Sequence, residues 1–124
     1  MSSSSPSRTI QPPSARGLAL QVLLECRRRE GFVQKILDRH LAASALSGAD
    51  RRLATQLAYG VLRRRGTLDA LLRPLLERRP QDVEDWLWDA LRLGAYQLLL
   101  LNHVPAHAAL HETVELAAKF TSPE

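Results

Sequence analysis

Apolar residues recur every three to four positions along most of the chain, which is the spacing of helices that bury one face. No segment alternates apolar and polar residues as a half-buried strand does. The pattern therefore predicts an all-α protein, a compact bundle of about six helices. The predicted helices begin after Ser14, Gly31, Ser47, Thr67, Pro80 and Pro105.

Capping and breaking residues mark the expected ends of these helices. Ser47 followed by Asp50 resembles a capping box, in which two side chains satisfy the first backbone N–H groups of a helix. Gly66 fits a stop for the third helix, and Thr67 can then cap the fourth. Because Pro74 has no backbone N–H, it predicts an early end or a kink in the fourth helix.

The stretch from Leu93 to Leu101 is apolar on nearly all sides, which predicts a central helix surrounded by the others. The remaining helices each carry one apolar stripe that is expected to face this core. The predicted core residues are Leu18, Val22, Leu53, Leu57, Val61, Leu87, Leu91, Leu98, Leu110, Val114 and Leu116.

The length of 124 residues and a hydrophobic content of 45% suit one domain with a modest core. Residues 1–13 are rich in serine and proline and predict a flexible tail, residues 14–120 the helical domain, and residues 121–124 a short C-terminal end. Cys26 has no second cysteine to pair with, and no apolar run is long enough for a signal sequence or a membrane span. These features predict a cytoplasmic protein.

Positive charge is concentrated in the first half of the chain. The first 65 residues carry 12 Lys or Arg against 4 Asp or Glu, whereas the rest carry 5 against 9. Of the 17 basic residues 15 are arginine, whose planar fork suits phosphate and stacks on bases. A genome rich in GC would also favour arginine over lysine, but it does not explain the asymmetry. The distribution therefore favours RNA as a partner.

The arginines cluster at predicted helix ends. The candidate RNA-binding residues are Arg8, Arg16, Arg27, Arg28, Arg29, Arg63, Arg64 and Arg65. The simpler interpretation of each triplet is a solvated C-terminal helix end, where cations suit the negative end of the helix dipole. The two interpretations differ in whether these side chains contact phosphate.

No active site is predicted. His107 and His111 share a helix face with Glu112 beside them, but the spacing lacks the His-Glu-x-x-His order of a zinc hydrolase, so no metal site is expected. Cys26 is interpreted as a small core residue. The scattered glycines form no loop that would cradle a phosphate or S-adenosylmethionine, so no cofactor is expected in this chain.

Three segments, in a fixed order, resemble the NusB family of RNA-binding domains. They are Asp50-Arg51-Arg52-Leu53 leading to Tyr59-Gly60-Val61-Leu62-Arg63, then Leu91-Arg92-Leu93-Gly94-Ala95-Tyr96-Gln97-Leu98, and then Val104-Pro105-Ala106-His107 before Glu112-Thr113-Val114-Glu115-Leu116-Ala117. The likeness extends from Ala15 to Phe120 and is greatest to the N-terminal NusB-like domain of RsmB (Sun/Fmu) enzymes, which methylate cytosine in small-subunit ribosomal RNA.

The resemblance implies a non-catalytic domain that binds ribosomal RNA through a basic surface around Arg16, at the start of the first helix. The catalytic domain of the parent enzyme would use S-adenosylmethionine. The alternatives are a NusB-type antitermination factor, which pairs with NusE, and a helical module that docks a protein near Phe120. NusB-like domains usually continue past the position of residues 121–124, so the resemblance predicts either a truncated piece or a short stand-alone version.

Overall fold

The computed structural model describes residues 14–29, 32–76 and 82–100, and every regular element in these ranges is helical. The helices are α1 (Ala15–Arg28), α2 (Val33–Ala42), α3 (Gly48–Arg63), α4 (Arg65–Leu72) and α5 (Asp85–Leu100), with a 3-10 turn (Arg73–Leu75) after α4. The all-α prediction is confirmed. The predicted last helix, with Leu110, Val114 and Leu116, lies outside the described residues, and so do residues 1–13, the predicted tail. None of the described helices is long and apolar enough to cross a membrane.

The two predicted serine caps have different outcomes. Ser14 caps α1 as expected, because its hydroxyl accepts a hydrogen bond of 3.0 Å from the backbone N–H of Gly17. Ser47 occupies the N-cap position of α3, but its side chain makes no capping hydrogen bond there. The predicted capping box is therefore wrong, although Asp50 still places a negative charge in the first turn of α3.

The prediction that Gly66 stops the third helix and Thr67 caps the fourth is wrong. α4 begins at Arg65, so both residues lie inside it. The break is the single residue Arg64, whose backbone N–H donates to Gly60 and whose carbonyl accepts from the N–H of Leu68. The backbone of Arg64 thus makes hydrogen bonds with residues of both helices, and no glycine is needed to end α3. α4 ends at Leu72, and Pro74 lies in the 3-10 turn that follows it. This agrees with the predicted early end of the fourth helix.

The core confirms most of the predicted stripes. Leu18, Val22, Leu57 and Val61 are fully buried, whereas Leu53, Leu87 and Leu91 are only half-buried. Leu98 is 45% exposed, so its assignment to the core is wrong. The buried side of α5 instead includes Ala90, Leu93, Tyr96 and Gln97. A helix that is apolar nearly all round has no periodicity to show which side faces inward, and this explains the error.

α3 contacts all four other described helices, and α1 packs against α2, α3 and α5. α1 is antiparallel to α5, because Arg16 near its start contacts Gln97 and Arg27 near its end contacts Asp89. α3 approaches α5 most closely at Gly60. A Cβ atom at Gly60 would lie 2.1 Å from Cζ of Tyr96, so only glycine lets the tyrosine ring sit there.

Candidate nucleic-acid interface

A chain of five charged residues joins α1, α4 and α5, and we call it the charge network: Asp69, Arg92, Asp89, Arg27 and Asp85. Arg92 binds both carboxylate oxygens of Asp69, at 2.7 and 2.9 Å, and one oxygen of Asp89 at 2.9 Å. Arg27 binds both oxygens of Asp89, at 2.8 and 3.2 Å, and reaches Asp85 at 3.1 Å. These two-pronged contacts use the planar geometry that only arginine offers.

The centre of the charge network is buried, since the side chains of Asp89 and Arg92 are 4% and 10% exposed. Burial by itself would lower the pKa of Arg92, but the hydrogen bonds and negative charges of Asp69 and Asp89 raise it above the ordinary arginine value. The guanidinium carbon also lies 5.4 Å from the centroid of the Trp88 ring, a cation–π contact. Arg92 is therefore held as a permanent cation inside the bundle.

Arg16, the residue that the resemblance assigned to RNA, takes part in a second contact between α1 and α5. Its Nε donates to Oε1 of Gln97 at 2.5 Å, and the amide nitrogen of Gln97 donates to the carbonyl of Leu93 at 3.0 Å. Gln97 is fully buried. Arg16 is half-buried and fixes the position of a buried amide, which is a structural role for at least one of its nitrogens.

The remaining described candidates form what we call the arginine patch: Arg28, Arg29, Arg63, Arg64 and Arg65, all of them exposed. Within the described ranges, only Arg29 of these five has an ion-pair contact, a long one of 4.0 Å with Glu25. The patch combines residues from the end of α1 with residues from the junction of α3 and α4.

The charge network brings these two groups of arginines to the same part of the bundle, because Asp69, one turn after Arg65 on α4, is joined through Arg92 and Asp89 to Arg27 in the last turn of α1. Cys26 precedes Arg27 on α1. Burial raises the pKa of its thiol, as do the negative charges of Glu25 and Asp89, while the positive charge of Arg65 acts in the opposite direction. Cys26 is half-buried and packs against the core, in agreement with its interpretation as a small core residue.

The helix dipole accounts for only part of the arginine patch. Arg28 and Arg63 lie in last turns, where a cation suits the negative end of the helix. Arg65 is the first residue of α4, where the dipole disfavours positive charge, and the first turn of α4 holds no acidic residue. Solvated helix ends alone therefore do not explain this cluster. An anion at the same place would be attracted by the side chains and by the N-terminus of α4.

Other predicted candidates lie elsewhere. Arg8, His107 and His111 are outside the described residues. In the part of the chain that the structure describes, no three His, Cys, Asp or Glu side chains are grouped closely enough to share a metal ion. A shallow depression that no sequence pattern predicts lies beside Arg29, lined also by Phe32, Lys35 and Arg39. The charge network was not predicted either, although the charged Arg92, directly before the apolar stretch of α5, was a visible signal.

Comparison with known proteins places this arrangement in a family. The model of the NusB family matches residues 13–124. The chain belongs to the NusB family. It is 36% identical over 108 residues to a protein from Bacillus subtilis that is named as a ribosomal RNA small subunit methyltransferase B. The aligned residues make up 87% of this chain and 24% of that protein. A protein of the same name from Synechocystis is 42% identical over 104 residues, covering 84% of this chain and 23% of the relative.

A NusB protein is also among the relatives. The transcription antitermination protein NusB from Hahella chejuensis is 35% identical over 107 residues, covering 86% of this chain and 72% of that protein. The chain thus spans about a quarter of the methyltransferase relatives and most of the antitermination protein. What is common to both kinds of relative is the NusB domain itself.

Proposed function

We propose that this chain is a non-catalytic RNA-binding domain that positions small-subunit ribosomal RNA for a cytosine-5 methyltransferase domain of the same parent protein. The name of the B. subtilis and Synechocystis relatives supports the substrate, and their identities of 36% and 42%, against 35% for the NusB protein, support this branch of the family. S-adenosylmethionine would be bound by that catalytic domain. The described residues of this chain are not proposed to bind S-adenosylmethionine.

The arginine patch is the observation that carries the proposal. Five exposed arginines lie at the end of α1 and at the junction of α3 and α4, and their partners within the described ranges leave them accessible to solvent. A single-stranded RNA backbone offers the matching charge and accepts two-pronged hydrogen bonds from arginine. Arg8 stays a predicted contact. Arg16 and Arg27 are better explained by their contacts with α5.

The proposal is tested by removing two charges from the arginine patch and two from elsewhere. Arg28→Ala/Arg64→Ala should weaken binding to a labelled fragment of small-subunit ribosomal RNA and flatten the log-log salt dependence by about 1.4, from about 0.7 per phosphate contact. The matched control is Arg52→Ala/Arg73→Ala, which removes two exposed arginines and the same net charge. Arg52 lies eleven residues before Arg63 on α3, roughly 16 Å along the helix axis.

Fluorescence anisotropy over a range of salt concentrations measures both quantities, and thermal melts confirm that each variant is folded. Equal losses from the two double variants would reduce the binding to diffuse attraction toward a cationic protein and would refute the arginine patch. No binding by the unaltered chain at low salt would replace this proposal with the protein-docking interpretation.

The second candidate is the antitermination function, and it is favoured by the 72% of the H. chejuensis NusB protein that the chain covers. The resemblance implies boxA RNA and NusE as partners in that case. Competition between a boxA oligonucleotide and the ribosomal RNA fragment, with and without NusE, separates the two functions. Preference for boxA that increases with NusE would favour antitermination.

The non-catalytic part of the proposal has its own test. Incubated with S-adenosylmethionine and unmodified small-subunit ribosomal RNA, the purified chain should transfer no methyl group. Incorporation of labelled methyl groups into the RNA measures this directly. Turnover by the chain alone would overturn the assignment.

A further inference from the structure

Phe32 is an aromatic residue without a structural task in the described bundle. It is 58% exposed and is not part of the core cluster. It occupies the N-cap position of α2, where Ser, Thr, Asp or Asn is preferred, and its side chain makes no capping hydrogen bond. A large apolar ring in water at a helix start therefore contributes neither a cap nor core packing.

The surroundings of Phe32 are basic and concave. A shallow depression of about 260 Å³ is lined by Arg29, Phe32, Lys35, Ile36 and Arg39, with the buried Ile36 as its apolar element. The ammonium nitrogen of Lys35 lies 5.8 Å from the centroid of the Phe32 ring. Three cations thus surround one exposed aromatic ring.

Nearby carboxylates in the described ranges are already engaged. Glu25 binds the guanidinium of Arg39 and lies 3.0 Å from Nε2 of His40. Asp38 accepts a hydrogen bond of 2.9 Å from the side-chain amide of Gln34. Since Arg39 has five N–H donors and its side chain is 56% exposed, one contact with Glu25 leaves others to reach a ligand.

The depression shares Arg29 with the arginine patch. The hydroxyl of Tyr59, four residues before Arg63, donates a hydrogen bond to the side-chain oxygen of Gln34, two residues after Phe32. A strand of RNA whose phosphates follow the patch would pass the Phe32 ring. Every nucleobase has a π-face that stacks on an aromatic side chain, and the adjoining phosphates need cations.

We propose that Phe32, with Arg29, Lys35 and Arg39, forms a binding site for one unpaired nucleobase and its flanking phosphates in single-stranded RNA. The ring stacks on the base, and the three cations bind the backbone on either side. This inference rests on the proposed RNA-binding function and adds a contact to it. It predicts a preference for single-stranded over duplex RNA, because a paired base is not available to stack.

The test uses the full chain and a single-stranded RNA of about 12 nucleotides, within the length range of such sites, containing one 2-aminopurine whose fluorescence is quenched on stacking. Phe32→Ala should weaken binding about five- to tenfold and abolish the quenching that depends on the protein. Phe32→Tyr keeps the ring and should restore both. The matched control, Leu75→Ala, truncates an apolar side chain that is 76% exposed, and it should leave both readouts unchanged.

The outcomes distinguish this site from the proposed function. Native-like affinity and quenching in Phe32→Ala would overturn the site, while a loss in Arg28→Ala/Arg64→Ala would still support RNA binding. Equal weakening of single-stranded and duplex RNA by Phe32→Ala would also overturn it, because stacking requires an unpaired base. If the unaltered chain binds no RNA at low salt, the proposed RNA-binding function is contradicted, and the Phe32 site that rests on it is contradicted as well. Thermal melts of all variants should coincide, since Phe32 lies outside the core.

Discussion

Arg27 and Arg28 are neighbours on α1 and have the same side chain, yet they belong to different regions of the molecule. Arg27 is part of the charge network, where it binds Asp89 with two nitrogens and Asp85 with a third. Arg28 is exposed and belongs to the arginine patch. A rotation of 100° along the helix separates an arginine that holds two helices together from one that is available to phosphate.

The difference between the two regions is one of solvent. At the centre of the charge network, Asp89 and Arg92 have lost water and compensate each other, so removal of one partner leaves an unpaired buried charge. In the arginine patch the charges remain hydrated, and removal of one changes stability little. Counting arginines along a sequence does not separate these cases. An arginine can stabilise the fold or bind a ligand while contributing the same charge.

The largest expected effect comes from the centre of the charge network. Asp89→Ala leaves Arg27 and Arg92 facing a vacated, 4% exposed position and should lower the free energy of unfolding by about 3 kcal/mol. Asp85→Ala is the control on the same helix, since Asp85 also contacts Arg27 but its side chain is 73% exposed, and it should cost less than about 1 kcal/mol. Denaturant titration measures both. Equal losses would contradict the distinction between buried and exposed charge.

A pair of glycines compares the packed contact between α3 and α5 with the neighbourhood of the arginine patch. Gly60→Ala forces the buried Tyr96 ring to move and should cost about 1 to 3 kcal/mol. Gly66→Ala, inside α4 near the arginine patch, meets no atom within 4 Å and should gain up to about 1 kcal/mol through helix propensity. Opposite shifts in the denaturation midpoint are the expected result. A stable Gly60→Ala protein would show that α3 and α5 are less closely packed than described.

Arg27→Ala and Arg28→Ala are the sharpest test of the comparison itself. Arg27→Ala should cost about 1 to 2 kcal/mol through lost hydrogen bonds to charged groups, with RNA affinity retained in the folded fraction. Arg28→Ala should leave the free energy of unfolding within about half a kcal/mol of the native value and weaken RNA binding. Thermal melts and anisotropy on the same samples give both numbers. The comparison fails if both variants lose the same property.

The smallest expected effect is at Glu25, which contacts Arg29 of the arginine patch at 4.0 Å. Its pKa is lowered mainly by the hydrogen bond with His40, against a raising contribution from burial, with Arg39 adding to the lowering. Because the folded value lies below the unfolded one, this carboxylate stabilises the fold above its unfolded pKa, and the contribution is lost as pH falls through the folded pKa. His40→Ala should raise the pKa of Glu25 in an NMR titration. An unchanged pKa would show that His40 has no influence on Glu25.

Much of the fold was accessible from the sequence because its signals are local. The apolar stripe of α3 placed Leu57 and Val61 in the core, and Ser14 marked the start of α1. Gly66 misled because the chain turns at Arg64 by adopting a non-helical backbone that satisfies hydrogen bonds of both helices. Such a turn depends on what the two helices pack against, and no residue type announces it.

The candidate site was only half accessible for a related reason. The sequence supplied the arginine clusters, but Lys35 and Arg39 drew no attention because each stands alone in a run of mixed residues. The apolar spacing of Phe32, Ile36, Leu37 and Leu41 predicts a helix face that is buried, whereas the structure leaves Phe32 58% exposed. Whether an apolar residue at the end of a helix is covered depends on its neighbours in space.

The sequence by itself determined the helices, the basic first half and the membership of a family, because helix periodicity, charge and residue order are all properties of the chain as written. The tertiary structure alone decided which arginines remain available to a ligand. Arg27 and Asp89 are 62 residues apart, and Arg16 and Gln97 are 81 apart. Only when α1 and α5 pack in antiparallel order do these partners meet, and the low exposure of the packed interface strengthens their pairing.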